Sequence, residues 1–404
     1  MTDSRAADLP WVLDPAVVFL NHGSFGACPR PVLDRQAALR EEMERQPVEF
    51  FVRRLPELWD AARRRLAGFL GADAEDLAAV PNATTGFNAV LRSLDLAPGD
   101  ELLTTDHAYH AAANALAFVA ERAGARVVVA AIPFPLASLD DAVEPLLAAV
   151  TAKTRLALID HVTSPTGLVL PLERLAVELA ARGVEVLVDG AHAPGMLPLD
   201  LAALGRAGVT WYTGNLHKWV CAPKGAGFLW VRADRRDAVR PLAISHGADV
   251  RRAGRSRFHD EFDWTGTDDP TPFLAVPAAL DCVGSLVPGG WPEVRRRNRE
   301  LALAGRRVLC TALGHDEPAP AEMIGSLAAV PIADGSPEPP ASALYADPLQ
   351  QALLADYGIE VPIVPWPAPP HRLVRLSAQL YNRRDDYRRL ADALVALAAA
   401  PTRR

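Results

Sequence analysis

Short apolar runs alternate with helix-periodic stretches through the first two-thirds of the chain. Leu77 to Val80, Glu101 to Thr104, Arg126 to Ala130, Leu156 to His161, Val184 to Val188, Val209 to Thr213 and Gly227 to Val231 read as strands. Gly86 to Ser93, Ala111 to Ala123, Leu139 to Val150 and Leu172 to Ala181 carry helical spacing, the last stopped at Arg182-Gly183. Helices that return the chain to each new strand predict an α/β layer architecture around a mostly parallel, seven-stranded sheet. After about residue 285 the pattern changes. A glycine- and proline-rich break precedes an arginine-rich helix over Trp291 to Leu313, two proline-dense stretches follow, and an amphipathic helix runs from about Asp385 to Ala399. We expect a large domain over residues 26–285 and a smaller C-terminal α+β domain over 286–404.

Composition narrows the classes of function. A chain of 404 residues, half of them hydrophobic, can bury a substantial core, and a net charge of −7 argues against a dedicated nucleic-acid or anionic-membrane binder. The arginine clusters at Arg63 to Arg65, Arg251 to Arg257 and Arg295 to Arg297 are read as solvated surfaces. Cys28, Cys221, Cys282 and Cys310 are scattered without metal-ligand spacing, so no metal site is expected and each thiol is read as a small buried hydrophobe. The opening residues lack the pattern of a secretory signal and no apolar run reaches membrane-spanning length, which suggests a soluble, cytoplasmic protein.

Lysine is scarce: of 42 basic residues only Lys153, Lys218 and Lys224 are lysines. Lys153 sits in a turn and reads as a surface charge, and Lys224 lies in a tight APKGAG loop. Lys218, in WYTGNLHKW, follows a strand among aromatics and a histidine, where desolvation could lower its pKa. The run VEVLVDGAHAPG delivers Asp189 at the carboxyl end of a buried strand, the edge at which ligands collect in open α/β sheets. An aspartate there and a lysine beyond the next strand are what a covalently held pyridoxal 5′-phosphate (PLP) needs: a carboxylate for the ring nitrogen and an amine for the aldehyde. In VPNATTGFNAV, small and hydroxyl residues open a helix whose N-terminus could hold a phosphate, although the same residues make an ordinary helix cap.

NATTGFN, DHAYH, HVTSPTG, DGAHAPG, TGNLHKW followed by PKG, WTGTDDPT and VRLSAQLYN occur in this order. Together they resemble the PLP enzymes of the class V aminotransferase family, and FLNHGSFGACP is similar to its isopenicillin N epimerase-like branch. The resemblance implies the PLP-dependent transferase fold type I and an N-terminal segment, residues 1–25, that contributes to the active site. It implies Lys218 as the Schiff-base lysine and Asp189 as the partner of the pyridine nitrogen, with His192 near the ring. Ala83, Thr84, Asn215 and His217 would bind the phosphate. Ser164, or its neighbour Thr163, would approach the ring oxygen. Either His107 or Tyr109 would cover the ring face, Tyr109 being preferred because it can also act as an acid. Asn21, His22 and Arg375 would meet the substrate, Arg375 as a clamp for an α-carboxylate. Thr267 would reach the phosphate of a neighbouring subunit, which implies a homodimer with the active site at the interface.

The reaction expected from this resemblance is epimerisation or racemisation at Cα of an amino acid, with Lys218 on one face and Tyr109 or His22 on the other. A carbon–sulfur lyase and an aminotransferase are the alternatives, and a non-catalytic binding protein on the same fold is a third reading. The stretch Glu322 to Tyr345 has no cysteine, which disfavours persulfide chemistry.

Overall fold

The computed structural model describes residues 10–249, 252, 254–338 and 347–399. The opening nine residues, Arg251 and the end of the Glu322 to Tyr345 stretch, for which expectations are given above, lie outside the described residues. Twelve strands follow in chain order among those described: β1 (Val18–Phe19), β2 (Leu77–Val80), β3 (Glu101–Thr105), β4 (Arg126–Ala130), β5 (Thr154–Asp160), β6 (Glu185–Asp189), β7 (Val209–Asn215), β8 (Gly227–Val231), β9 (Leu327–Ile332), β10 (Ile359–Glu360), β11 (Ile363–Pro365) and β12 (Arg372–Ser377).

The central sheet has seven strands in the order β2-β8-β7-β6-β5-β3-β4. β8 runs antiparallel to both its neighbours and the remaining pairs are parallel. Strands β5, β6 and β8 are apolar along most of their length, and β5 to β8 are buried almost throughout, as a sheet covered on both faces by helices requires. The chain crosses from β3 to β4 in one direction and then returns to run β5, β6, β7 in the other. That reversal opens a crevice at the carboxyl ends of β3 and β5, the position where ligands bind in doubly wound sheets.

The predicted elements recur with shifted ends. The helix expected from Gly86 begins at Ala83, because Asn82 caps it by accepting the Thr85 N–H at 2.9 Å. The strand expected to reach His161 ends one residue earlier, at Asp160. Two amphipathic helices that the pattern above does not assign, Arg30–Arg45 and Leu55–Leu70, are joined by a π-helical stretch over Glu49–Arg54. Their apolar faces pack on Val276–Ser285 of a later helix.

Residues beyond 285 build a second, antiparallel sheet in the order β11-β12-β9, covered by the helices Gly290–Leu313 and Arg384–Ala399. β1, from the start of the chain, pairs in parallel with β10 through Val18 with Ile359 and Phe19 with Glu360. The segment before residue 26 is therefore anchored to the C-terminal part of the molecule.

The reading of the arginine clusters as solvated surface is wrong for its most buried member. Arg63 is 2% exposed and pairs with Asp263 and with Asp60, and Arg255 bridges the same two carboxylates. Arg295, in another cluster, lies over the rings of Phe69 and Trp291. Removing one member of a buried charge network strands its partner, whereas removing two leaves nothing unpaired. Arg63→Ala should lower the free energy of urea unfolding by about 2 kcal/mol, less than the ~3–5 of an isolated buried pair because Arg255 still meets Asp263. Arg63→Met combined with Asp263→Leu should recover most of the loss, as measured by a double-mutant cycle.

Candidate active site

The crevice is a pocket walled by the loops that follow β3, β5, β6 and β7, by the start of the helix Ala83–Ser93, and by Ser24 and Phe25 from the N-terminal segment. At its centre is Lys218, half-buried, whose Nζ lies 3.1 Å from His192 Nε2. Burial, reinforced by the Arg375 charge, pulls the lysine down to about 7, while Asp189 and Asp160 oppose the shift. Its amine is thus uncharged in a large fraction of molecules at neutral pH. His192 is held well below the usual histidine range by burial and by Lys218, and remains a neutral imidazole.

Asp189, 2% exposed, accepts the Ala191 N–H through Oδ1 at 2.9 Å and has no hydrogen-bond partner at Oδ2. His192 Nδ1 and His217 Nδ1 are also buried without partners. A buried polar atom left unmatched destabilises the fold by about 1–3 kcal/mol, so several in one pocket indicate a polar ligand. The residues present fit PLP: an amine of low pKa for an aldehyde, an unmatched carboxylate oxygen for a ring nitrogen, and a capped helix start for a phosphate. At that start the Ala83 N–H is taken by Asn215 Oδ1 at 2.9 Å, so Ala83 cannot offer its amide as expected; Thr84 beside it lines the pocket.

Arg375, on β12, reaches in from the C-terminal sheet. It is 5% exposed and no carboxylate pairs with it among the described residues. Its Nη1 donates to Ser164 O at 2.6 Å and to Ser164 Oγ at 3.2 Å, and its Nη2 donates to Ser24 Oγ at 2.9 Å. Arg372, three residues earlier, is tied to Asp347 at 2.7 Å and to the Ala333 carbonyl, outside the pocket.

The structure decides several alternatives. Tyr109 lines the pocket and is 46% exposed; His107 does not, being fully buried between the Thr166 hydroxyl, the Ile132 carbonyl and the Trp366 ring. Ser164 is in the wall, whereas Thr163 is engaged by Thr166 and the Leu168 N–H. Asn21 is outside it, held by Glu360 and Ser24. His22 is also outside: it is wedged behind Lys218, with Nε2 3.0 Å from the Lys218 carbonyl and Nδ1 2.8 Å from the Tyr381 hydroxyl. Donation to the carbonyl places the proton on Nε2 and leaves Nδ1 to accept from the phenol, and burial pulls the ring down to about 3. The structure therefore does not bring His22 into the pocket where a substrate contact was expected. Thr267 is exposed and outside the pocket of its own chain. Lys153 is exposed, and Lys224 donates to the Gly26 carbonyl at 2.7 Å. Gly26 itself has φ 65°, and a Cβ there would stand 2.1 Å from the His217 carbonyl, so only glycine lets the N-terminal segment lie against the lysine loop.

Five residues of the wall were not anticipated as site residues, Ser24, Phe25, Asn82, Asp160 and Ala191. Asp160 carries the same signal as Asp189, an acidic residue closing an apolar strand. Ser24 lies within the FLNHGSFG run but has no signal of its own.

The profile of the family described as Aminotransferase class-V matches residues 28–302. An isopenicillin N epimerase from Amycolatopsis lactamdurans is 39% identical over 396 residues, 95% of each chain. An L-cysteine desulfhydrase from Arabidopsis thaliana is 28% identical over 94% of this chain and 88% of its own. Among solved structures, a lysine-to-alanine mutant of C-DES with glycine covalently linked to its PLP cofactor superposes with a TM-score of 0.75 and 23% identity, covering 94% of this chain and 96% of that one. This likeness bears out the expected PLP-dependent fold type I.

A lysine whose folded pKa is depressed binds fewer protons in the folded than in the unfolded state at pH values between the two. Stability of the cofactor-free protein should therefore rise with pH from about 7 toward 10.5, by up to about 1.4 kcal/mol per pH unit from this group. Denaturant titrations across that window should show the slope, and Lys218→Met should reduce it. An unchanged slope would mean that the amine is not desolvated.

Proposed function

The chain is a PLP-dependent enzyme of the class V aminotransferase family, and on that premise we propose that it inverts Cα of an amino acid, as an epimerase or racemase. The observation that carries the substrate class is Arg375. A guanidinium buried without a counter-ion calls for an anion, and its planar fork, set on two serines of the pocket wall, suits the two oxygens of an α-carboxylate. Inversion is supported by the likeness to the epimerase along nearly the whole chain and by two acid–base groups in one pocket, the Lys218 amine and the Tyr109 phenol.

When bound, the cofactor supplies an electron sink for the charge left on Cα as a proton departs. The chain's own residues do the rest. Lys218 anchors the cofactor and carries a proton to and from one face of Cα. Tyr109, which is close enough to Arg375 to interact with its charge, serves the other face. His192, neutral beside Lys218 Nζ, accepts a hydrogen bond from the amine and orients it. Asp189 faces the ring nitrogen, while Thr84, Asn215 and His217 face the phosphate. His22 fixes the Lys218 carbonyl and so the direction in which the lysine leaves the main chain. In a homodimer, the exposed Thr267 loop reaches the partner's pocket.

The likeness to an L-cysteine desulfhydrase favours a second reading, carbon–sulfur cleavage by β-elimination. Incubating holoenzyme with single amino acids in deuterated water separates the readings. Inversion incorporates deuterium at Cα and yields the mirror configuration without pyruvate. Release of pyruvate and ammonia selects the lyase, and dependence on an added keto acid selects transamination.

The clamp has its own test. Arg375→Lys should keep the cofactor spectrum and thermal stability but raise KM and lower kcat, together costing about 10²-fold in kcat/KM, because a point charge loses the paired hydrogen bonds. Arg372→Lys should change kcat/KM by less than about 3-fold, since that side chain serves Asp347 outside the pocket. Equal losses in both variants would remove Arg375 from the substrate site.

A further inference from the structure

Asp160 is an ionisable residue of the pocket with no part in the roles above. It closes β5 directly opposite Asp189, which closes β6, in a parallel register. Side chains at paired positions of adjacent parallel strands leave the sheet on the same face, about 4.8 Å apart. Both carboxyl groups line the pocket, both are buried, at 3% and 2% exposure, and each has an Oδ2 without a hydrogen-bond partner. Two full negative charges so close, away from water, repel strongly.

The groups facing Asp160 cannot neutralise both charges. The loop after β7 presents Lys218 and His217, the end of β6 presents Asp189 and His192, the loop after β3 presents Tyr109, and β12 presents Arg375. His192 and His217 are neutral at pH 7, the latter pulled down to about 4 by burial. The Lys218 nitrogen is committed to the cofactor, and Arg375 points its fork at the two serines. Neither carboxyl is therefore held in an ion pair among the described residues, and each keeps an unmatched oxygen.

We propose that Asp160 and Asp189 hold one proton between them, Asp160 as the protonated, hydrogen-bond-donating member and Asp189 as the single carboxylate facing the cofactor's ring nitrogen. The asymmetry follows from their surroundings. Burial first, and then the charge of Asp189, push Asp160 well above the usual carboxylate range, and the Tyr109 N–H, its own N–H and Lys218 oppose this without cancelling it. Asp189 is also raised by burial, but the Ala191 N–H and Lys218 pull it back, so the shared proton settles on Asp160. Asp160 is thereby a reserve: if Asp189 loses its charge, the repulsion disappears and Asp160 can ionise in its place. This arrangement does not depend on which reaction the enzyme catalyses.

The test is cofactor affinity, read by absorbance titration of the full chain with PLP. Asp160→Asn should stay within about 3-fold of the unsubstituted protein, because a neutral amide replaces a neutral acid. Asp189→Asn should weaken binding by about 10-fold, and the double variant by about 10³-fold, far beyond the product of the two single effects. Additive losses, or a loss in Asp160→Asn equal to that in Asp189→Asn, would overturn the proposal. A second measurement needs no folded variant. The infrared spectrum of unsubstituted holoenzyme at neutral pH should contain the carbonyl stretch of a buried, protonated carboxyl group, and its absence overturns the proposal equally.

Discussion

The parallel register of β5 against β6 governs where chemistry can occur in this chain. It sets Asp160 beside Asp189, and through the next pairing it sets Asp189 beside Thr213, from which β7 continues into the loop that holds Lys218. A slip of one residue would turn every side chain of a strand to the opposite face, sending these carboxyls into apolar packing. The apolar residues that occupy most of β5 and β6, with Val209, Trp211 and Tyr212 of β7, oppose such a slip because it would bury less of them. The catalytic arrangement is thus secured by hydrophobic packing beneath it. The loops above only select which atoms project.

Electrostatics in the pocket follow from that enclosure. Lys218, His192 and Arg375 are each shifted first by loss of water and only then by their neighbours, and burial lowers all three. A lysine near neutrality, a buried carboxylate oxygen without a partner and a guanidinium without a counter-ion among the described residues are costly separately. Together they form a cavity whose unmet demands match an aldehyde, a ring nitrogen and a carboxylate. This is how a stable α/β layer can hold reactive groups in readiness, the surrounding core offsetting what they cost.

Much of this was legible in the sequence because strand ends announce themselves. Asp189 terminates an unmistakable apolar run, and Lys218 stands out in a chain with so few lysines. The family motifs supplied Tyr109, Ser164 and Arg375, all of which the structure brings to one pocket. What could not be read depends on contacts distant in sequence. Arg63 looks like any surface arginine until Asp263 arrives 200 positions later to bury it. His22 sits in a motif beside the active site, yet whether it faces the substrate or the back of Lys218 is decided by Tyr381 and the turn at Gly26. Asp160 was hidden by an ordinary ambiguity, because the strand was drawn one residue too long and the aspartate seemed internal. His161, the next residue, turns the other way and bonds the Tyr212 hydroxyl.

The hydrogen bond from Arg375 to Ser24 joins residues 351 positions apart, and the pairing of β1 with β10 spans nearly as much of the chain. During synthesis the central sheet can form once β8 has emerged, and the lysine loop with it. The contact between Arg375 and Ser24 cannot, because β12, which carries the arginine, and β10, which pairs with β1, lie well beyond β8 in the chain. Closing so long a loop is slow and entropically opposed, so these contacts should be the last to assemble and the first to open. A newly made molecule therefore passes through a stage in which the lysine loop is formed while the contact that ties Arg375 to the N-terminal segment is not.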